Sequence, residues 1–251
     1  MTNRKVAVVT GGANGIGRAT AHAFIREGFN VGVIDADRTA VDDLRHELPD
    51  SVLLCRYGDI GYRDDIPPFV AAVFERFGRL DVLVNNAGVR VAGSVDGTDL
   101  RDFEHLFAVN CRGMFLMTQA ATPYLRKSGG AIINVSSSAG VGLDADAPIY
   151  SASKAWINKL TECLALQLGP RAVRVNAVCP GSVRTDFLRS AFNYDEEAME
   201  DSRLANPMRR IASPEEIAEA IVWLASDNAR FVNGSIFSID GGERLAGEPA
   251  K

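Results

Sequence analysis

Lys5-Val-Ala-Val-Val-Thr10-Gly11-Gly12-Ala13-Asn14-Gly15-Ile16-Gly17 decides the fold. Its first half is a short β-branched run, near-continuously apolar, which suits a strand buried on both faces of a parallel sheet. Its second half is a glycine turn, and a helical pattern follows over residues 16–28. Strand, glycine turn and helix N-terminus form a cradle for a phosphate. The glycines admit close backbone approach, and free N–H groups with the helix dipole favour an anion. The spacing is Gly-x-x-x-Gly-x-Gly, not the better-known Gly-x-Gly-x-x-Gly. A tight βα turn without a ligand is the plain alternative.

A second strand over residues 30–34 ends at Asp35, about twenty positions past the turn. A carboxylate there accepts hydrogen bonds from ribose hydroxyls and repels a 2′-phosphate, which favours NAD over NADP. Arg38 is of the type that receives a 2′-phosphate and lies close by. Strands are expected over 51–56, 80–84, 131–135, 172–178 and 235–239, seven in all. Helices are expected over 37–48, 62–77, 99–127, 150–168 and 214–225. Pro67-Pro68 falls in the first turns of one helix, and Asn110, a poor helix former, in the middle of another. Alternation of this kind indicates an α/β fold, a doubly wound parallel sheet with helices on both faces, in one domain spanning 1–251. Ligands of such sheets lie beyond the carboxyl ends of the strands. Asp59-Ile60, Asn85-Asn86-Ala87-Gly88, the run Ser136-Ser137-Ser138, and Pro180-Gly181 with Val183 and Thr185 all fall on that edge.

Tyr150-Ser151-Ala152-Ser153-Lys154 heads the helix of 150–168. Positions i and i+4 share a helix face, so phenol and ammonium point into the same space. Free tyrosine titrates near pH ~10, and a fixed cation beside it favours the phenolate. The pair is a candidate general acid/base unit; a packed tyrosine with a solvated lysine is the bland reading. Any of the three serines could donate to a substrate oxygen.

Together these motifs resemble the short-chain dehydrogenase/reductase family in its compact single-domain Rossmann form, over roughly residues 5–242. The resemblance implies a catalytic set of Asn110, Ser137, Tyr150 and Lys154, since the family's serine stands thirteen positions before its tyrosine. It implies that Tyr150 is the acid/base and that Lys154 lowers its pKa and holds the nicotinamide ribose. Ser137 would polarise the substrate oxygen, and Asn110 would anchor a relay water. Cofactor contacts would come from Gly11, Asn14, Gly15, Ile16, Gly17, Asp35, Asp59, Ile60, Asn86, Ala87, Gly88, Tyr150, Lys154, Pro180, Gly181, Val183 and Thr185. The activity implied is hydride transfer between NAD(H) and a secondary alcohol or ketone. Alternatives are an NADPH-dependent 3-oxoacyl-thioester reductase and a non-catalytic dinucleotide-binding redox sensor. Family members commonly form homotetramers.

The polar stretch 186–210 is expected to be a lid, and the loop 141–148 the facing wall, whose Asp144 and Asp146 could hydrogen-bond a polyol, a solvated turn being the favoured account. The tail from Glu243 is expected to be mobile or at an interface. A net charge of −5 argues against nucleic acid as a partner. No apolar run nears the ~18 residues of a membrane span. The amino-terminal residues show no secretory pattern. Four scattered cysteines suggest a reduced, cytoplasmic setting without disulfides. Cys179 is expected to be a packed thiol. Three scattered histidines, all in expected helices, offer neither a metal cluster nor a Ser-His-Asp triad.

Overall fold

A computed structural model describes residues 4–246. Its centre is a seven-stranded, all-parallel sheet in the order β3-β2-β1-β4-β5-β6-β7. The strands are β1 (Val6–Thr10), β2 (Asn30–Asp35), β3 (Leu53–Tyr57), β4 (Val82–Asn85), β5 (Ala131–Val135), β6 (Arg174–Pro180) and β7 (Ile236–Ile239). Because β1 lies between β2 and β4, the chain reverses direction across the sheet there. A crevice opens at that switch point beyond the strand ends.

Side chains alternate across the sheet. Ala7, Val9, Val31 and Val33 pack on one face with Phe24, Leu44 and Ile221. These come from the helices α1 (Gly15–Arg26), α2 (Arg38–Glu47) and α9 (Pro214–Ala225). Val6, Val8, Leu83, Ile132 and Val175 pack on the other with Phe69, Met117 and Leu164. Those come from α3 (Ile66–Phe77), α5 (Met114–Ser128) and α6 (Pro148–Leu168). Both faces are dry, which is why the strands read as continuous apolar runs.

Three expectations change in detail. The helix expected from residue 62 begins as a 3₁₀ turn, Arg63–Asp65, and becomes α-helical at Ile66, with the prolines in its opening turn. That is where a missing N–H costs least. The long helix expected over 99–127 is α4 (Leu100–Phe107), a π-helical turn (Ala108–Gly113) and α5. Asn110 lies inside the π turn, and Pro123 lies inside α5. The stretch 186–210 is not irregular throughout: it holds α7 (Asp186–Ala191) and α8 (Glu196–Asp201). Met199 is buried and pins this segment, while Val183 bridges to Ala212. Arg184–Glu200 and Arg189–Glu196 ion pairs cross its surface. Ser213 donates its N–H to Glu216 at 2.9 Å, as a capping box requires. Glu243–Leu245 is a 3₁₀ turn, and the rest of the tail lies outside the described residues. Among the described residues no helix is long and apolar enough to cross a membrane.

Candidate active site

The glycine turn is built for close approach. Gly11 and Gly15 have φ of +59° and +49°, left-handed values that favour glycine. A Cβ on Gly15 would stand 3.0 Å from Thr185 Cγ2, so the turn faces the β6–α7 segment across a narrow cleft. A Cβ on Gly17 would fall onto the carbonyl of Gly11 and lie 2.6 Å from Asn86 Nδ2. Asn86 Nδ2 donates to the Thr10 and Gly11 carbonyls at 3.0 and 2.8 Å. The Thr10 hydroxyl accepts the N–H groups of Asn86 and Ala87. The β1 and β4 ends are thus locked together beneath the cleft.

Asn14 precedes α1 without capping it by its side chain; its amide donates instead to Asp37 at 3.1 Å. The first N–H groups of α1 therefore have no side-chain cap, and an anion suits them. Asp35 ends β2, and its carboxylate accepts the N–H groups of Ala13 and Asp37, each at 2.9 Å. Arg38 stacks on the Tyr57 ring at 4.3 Å. Asp59 follows β3 and accepts the Gly61 N–H at 2.7 Å, and Ile60 is buried beside it. An uncapped helix start, positive-φ glycines and a carboxylate at the second strand's tip fit a dinucleotide's pyrophosphate and ribose.

Tyr150 and Lys154 lie one turn apart on α6, both buried. Lys154 Nζ donates to the Val135 carbonyl at 3.0 Å and sits 5.5 Å from the Tyr150 ring centroid. The serine run sorts itself by partner. Ser136 Oγ donates to the Lys154 carbonyl at 3.0 Å, and Ser138 Oγ to Glu243 at 3.3 Å. Ser137, whose Oγ accepts the Ala139 N–H, is the hydroxyl beside the phenol. Asn110 donates to the Val89 carbonyl and Ser153 Oγ and accepts the Val89 N–H. It thereby holds the strand β4 exit against α6. A Cβ on Gly88 would stand 3.3 Å from both Asn110 Oδ1 and Lys154 Nζ, so all three share one corner. π turns recur at functional sites because they re-aim one residue.

Burial dominates the electrostatics of the pair: it pushes Tyr150 up to about 12, against opposing pulls from the Ser137 hydroxyl and the Arg90 charge. Burial likewise brings Lys154 down to about 8. Both groups are driven toward their neutral forms by lost hydration. Cys179 is fully buried and its thiol is raised, as a packed thiol should be.

Two residues escaped the sequence reading. Arg90 pairs with Asp144 at 3.1 Å, so Asp144 is not in a solvated turn. Glu243 is raised by burial where it meets the Ser138 hydroxyl. Neither carries a motif; only the fold brings them to the site. Phe187 of α7 lies 6.2 Å from the Tyr150 ring, centroid to centroid, so the segment expected as a lid reaches Tyr150. No cluster of three His, Cys, Asp or Glu among the described residues could hold a metal.

A parallel sheet with this order, a glycine turn and a Ser-Tyr-Lys constellation define a dinucleotide-dependent oxidoreductase site. The chain belongs to the short-chain dehydrogenase/reductase family: residues 11–243 match the family described as enoyl-(acyl carrier protein) reductase. It is 36% identical to a meso-2,3-butanediol dehydrogenase of Serratia marcescens over 248 residues, 98% of each chain. It is 37% identical to a 3-oxoacyl-(acyl-carrier-protein) reductase of Thermotoga maritima, covering 95% of this chain and 97% of that one. A crystal structure of the 3-ketoacyl-(acyl-carrier-protein) reductase from Brucella melitensis complexed with NADH superposes with a TM-score of 0.88 at 30% identity. That match covers 96% of this chain and 98% of the other. The protein is an oxidoreductase of the secondary alcohol/ketone type, with a nicotinamide dinucleotide as cofactor.

Proposed function

We propose that the protein is an NAD-dependent dehydrogenase of small secondary alcohols, working in reverse as a ketone reductase. The observation that carries this reading is the convergence of Ser137, Tyr150 and Lys154 on the sheet's carboxyl edge, across from the Gly15–Thr185 cleft. Bound NAD supplies the hydride acceptor and a cationic ring that favours a nearby phenolate. The protein supplies geometry and proton handling. In oxidation the Tyr150 phenolate oxygen accepts the alcohol's proton; in reduction the phenol returns it. Ser137 donates a hydrogen bond to the same substrate oxygen, stabilising charge that grows there. Lys154 holds the nicotinamide ribose, and Asn110 fixes the corner through which the proton leaves to water.

The cofactor reading rests on named groups. Gly11, Asn14, Gly15, Ile16 and Gly17 hold the pyrophosphate, Asp59 and Ile60 the adenine. Asn86, Ala87 and Gly88 line the floor, while Pro180, Gly181, Val183 and Thr185 meet the nicotinamide. Asp35 stands where a 2′-phosphate would come, and Arg38 is engaged with Tyr57, which supports NAD over NADP. The butanediol relative supports a small, polar substrate, and the segment 186–210 serves as its lid. We further propose a reduced, cytoplasmic setting, supported by four free thiols among the described residues, and a homotetramer as in many family members.

Oxidation needs Tyr150 as the phenolate, the form that burial opposes and a cationic nicotinamide ring favours, so the rate of oxidation rises with pH while the phenolate fraction grows. The test is a panel of secondary alcohols with NAD and with NADP, wild type beside Tyr150→Phe. Turnover with NAD that the substitution abolishes supports the reading. A strong preference for NADP moves the assignment to the 3-oxoacyl-thioester reductase class. Binding of NAD with turnover of neither alcohols nor ketones leaves a redox sensor.

A further inference from the structure

The Arg90–Asp144 ion pair joins two loops that sequence places 54 positions apart. Its members are mostly shielded, with 18% and 26% of their side-chain surface exposed. The loops are held by more than this pair. The Gly93 N–H donates to the Asp146 carbonyl at 2.9 Å, and Asp144 Oδ1 accepts the Asp146 N–H at 3.1 Å. The Asp144 carbonyl accepts the Ala147 N–H at 3.2 Å and the Ser151 hydroxyl at 3.4 Å. Those bonds lead straight into the first turn of α6, where Tyr150 sits. Val89 and Val91, flanking Arg90, pack with Leu106, Ala147 and Tyr150 in one small apolar cluster. Such packing fixes both charges at a set distance from the phenol.

From this geometry we infer that the Arg90–Asp144 pair positions charge to set the pH at which Tyr150 exchanges its proton, and that the two members act in opposite directions. The inference rests on Tyr150 being the general acid/base. The groups facing the phenol are Lys154 from its own helix, Ser137 from the turn after β5, Cys179 from β6, and Arg90 and Asp144 from the two loops. The positive charge of Arg90 favours the phenolate and the negative charge of Asp144 opposes it. In the intact pair the two oppose each other. Removing one therefore unmasks the other. A pair that only strapped the loops together would behave differently, because loss of either member would loosen the same contact in the same way.

The test uses Arg90→Gln, Asp144→Asn, the double variant and Tyr150→Phe. Tyrosine labelled with carbon-13 at Cζ is followed by NMR in the NAD complex from pH 6 to about 12, and the Tyr150 resonance is identified by its absence from Tyr150→Phe. With only 5 tyrosines the assignment is direct. Oxidation of 2,3-butanediol by NAD is recorded alongside. We expect the ionisation of Tyr150 to move up by about half a pH unit or more in Arg90→Gln and down by a similar amount in Asp144→Asn. The double variant should return toward wild type. Shifts of the same sign in both single variants, or no shift in either, overturn the inference. Butanediol turnover by Tyr150→Phe at the wild-type rate overturns the proposed function instead, while the resonance still decides whether the pair acts with opposite signs. Should Arg90→Gln not fold, Asp144→Asn, nearly isosteric, still carries a signed outcome.

Discussion

Gly17→Ala probes the glycine cradle at its tightest point. The added methyl would meet the Gly11 carbonyl oxygen directly, lie 2.6 Å from Asn86 Nδ2, and lie 2.8 Å from the Gly11 carbonyl carbon. The atoms in the way are backbone and a side chain that is itself tied down at 2.8 and 3.0 Å. Either α1 withdraws from the β1 exit or the Asn86 bonds break. Overpacking costs roughly 1–3 kcal/mol, and a stranded amide donor about 1–3 kcal/mol more. Against this, alanine in place of a helical glycine returns up to ~1 kcal/mol. The net loss is about 1–5 kcal/mol, or a fall in Tm of roughly 3–15 °C for a chain of this size. Affinity for NAD should drop as well, because the helix start moves. The assay is a thermal melt with and without NAD, beside a titration of NAD binding. Gly28→Ala is the control: nothing lies within 4 Å of its added methyl, and only its φ of +82° resists, costing about 1–2 kcal/mol. A Gly17→Ala protein that melts with wild type and binds NAD equally well would refute the reasoning.

Three other expectations are sharp enough to check. Asn134 bridges the buried interior, accepting from Asn85 Nδ2 at 2.9 Å and donating to Thr161 Oγ1 at 2.8 Å; Thr161→Val strands that donor, and denaturant unfolding should show a loss of about 1–3 kcal/mol. Thermal stability should fall as pH rises above 9.0, the ordinary thiol value, because burial holds Cys55 up to about 12 and Cys111 up to about 11, with Cys179 raised too. In that window the unfolded chain binds fewer protons, so each thiol removes about 1.4 kcal/mol per pH unit. Lys154, brought down from 10.5 to about 8, works with the opposite sign between those values, but it is one group against three. Melts from pH 7 to 11 decide, and Cys55→Ser should flatten the decline. Phe187→Ala removes the ring that reaches Tyr150 at 6.2 Å; it should raise KM for alcohols several-fold and leave NAD affinity unchanged, as steady-state kinetics and a binding titration would show.

The sheet could be read because parallel strands buried on both faces leave unmistakable apolar runs, and the turn after β1 because φ of +59° and +49° there favours glycine. The strand ends moved by at most two residues, since pairing partners rather than propensity set them. Tyr150 and Lys154 were legible because one helix carries both at fixed spacing. The π turn at Ala108–Gly113 was not, since a single extra residue per turn leaves no periodic mark. Its trace was the awkward Asn110, whose side chain holds Val89 and Ser153. Arg90 with Asp144, and Glu243 with Ser138, depend on contacts 54 and 105 positions apart, which no local pattern encodes. The burial that raises Tyr150 was illegible for a related reason: spacing reveals a neighbouring cation, but burial is a property of the folded whole.

The most direct measurement is the fate of the hydrogen on the reacting carbon. Butane-2,3-diol carrying deuterium at C2 and C3 is incubated with the protein and NAD, and the nicotinamide product is analysed by mass spectrometry for wild type and Tyr150→Phe. Deuterium in the reduced cofactor with wild type, and none formed with Tyr150→Phe, is the result expected of a Tyr150-assisted hydride transfer. Diol consumed with its deuterium lost to water, or label transferred undiminished without the phenol, would contradict it.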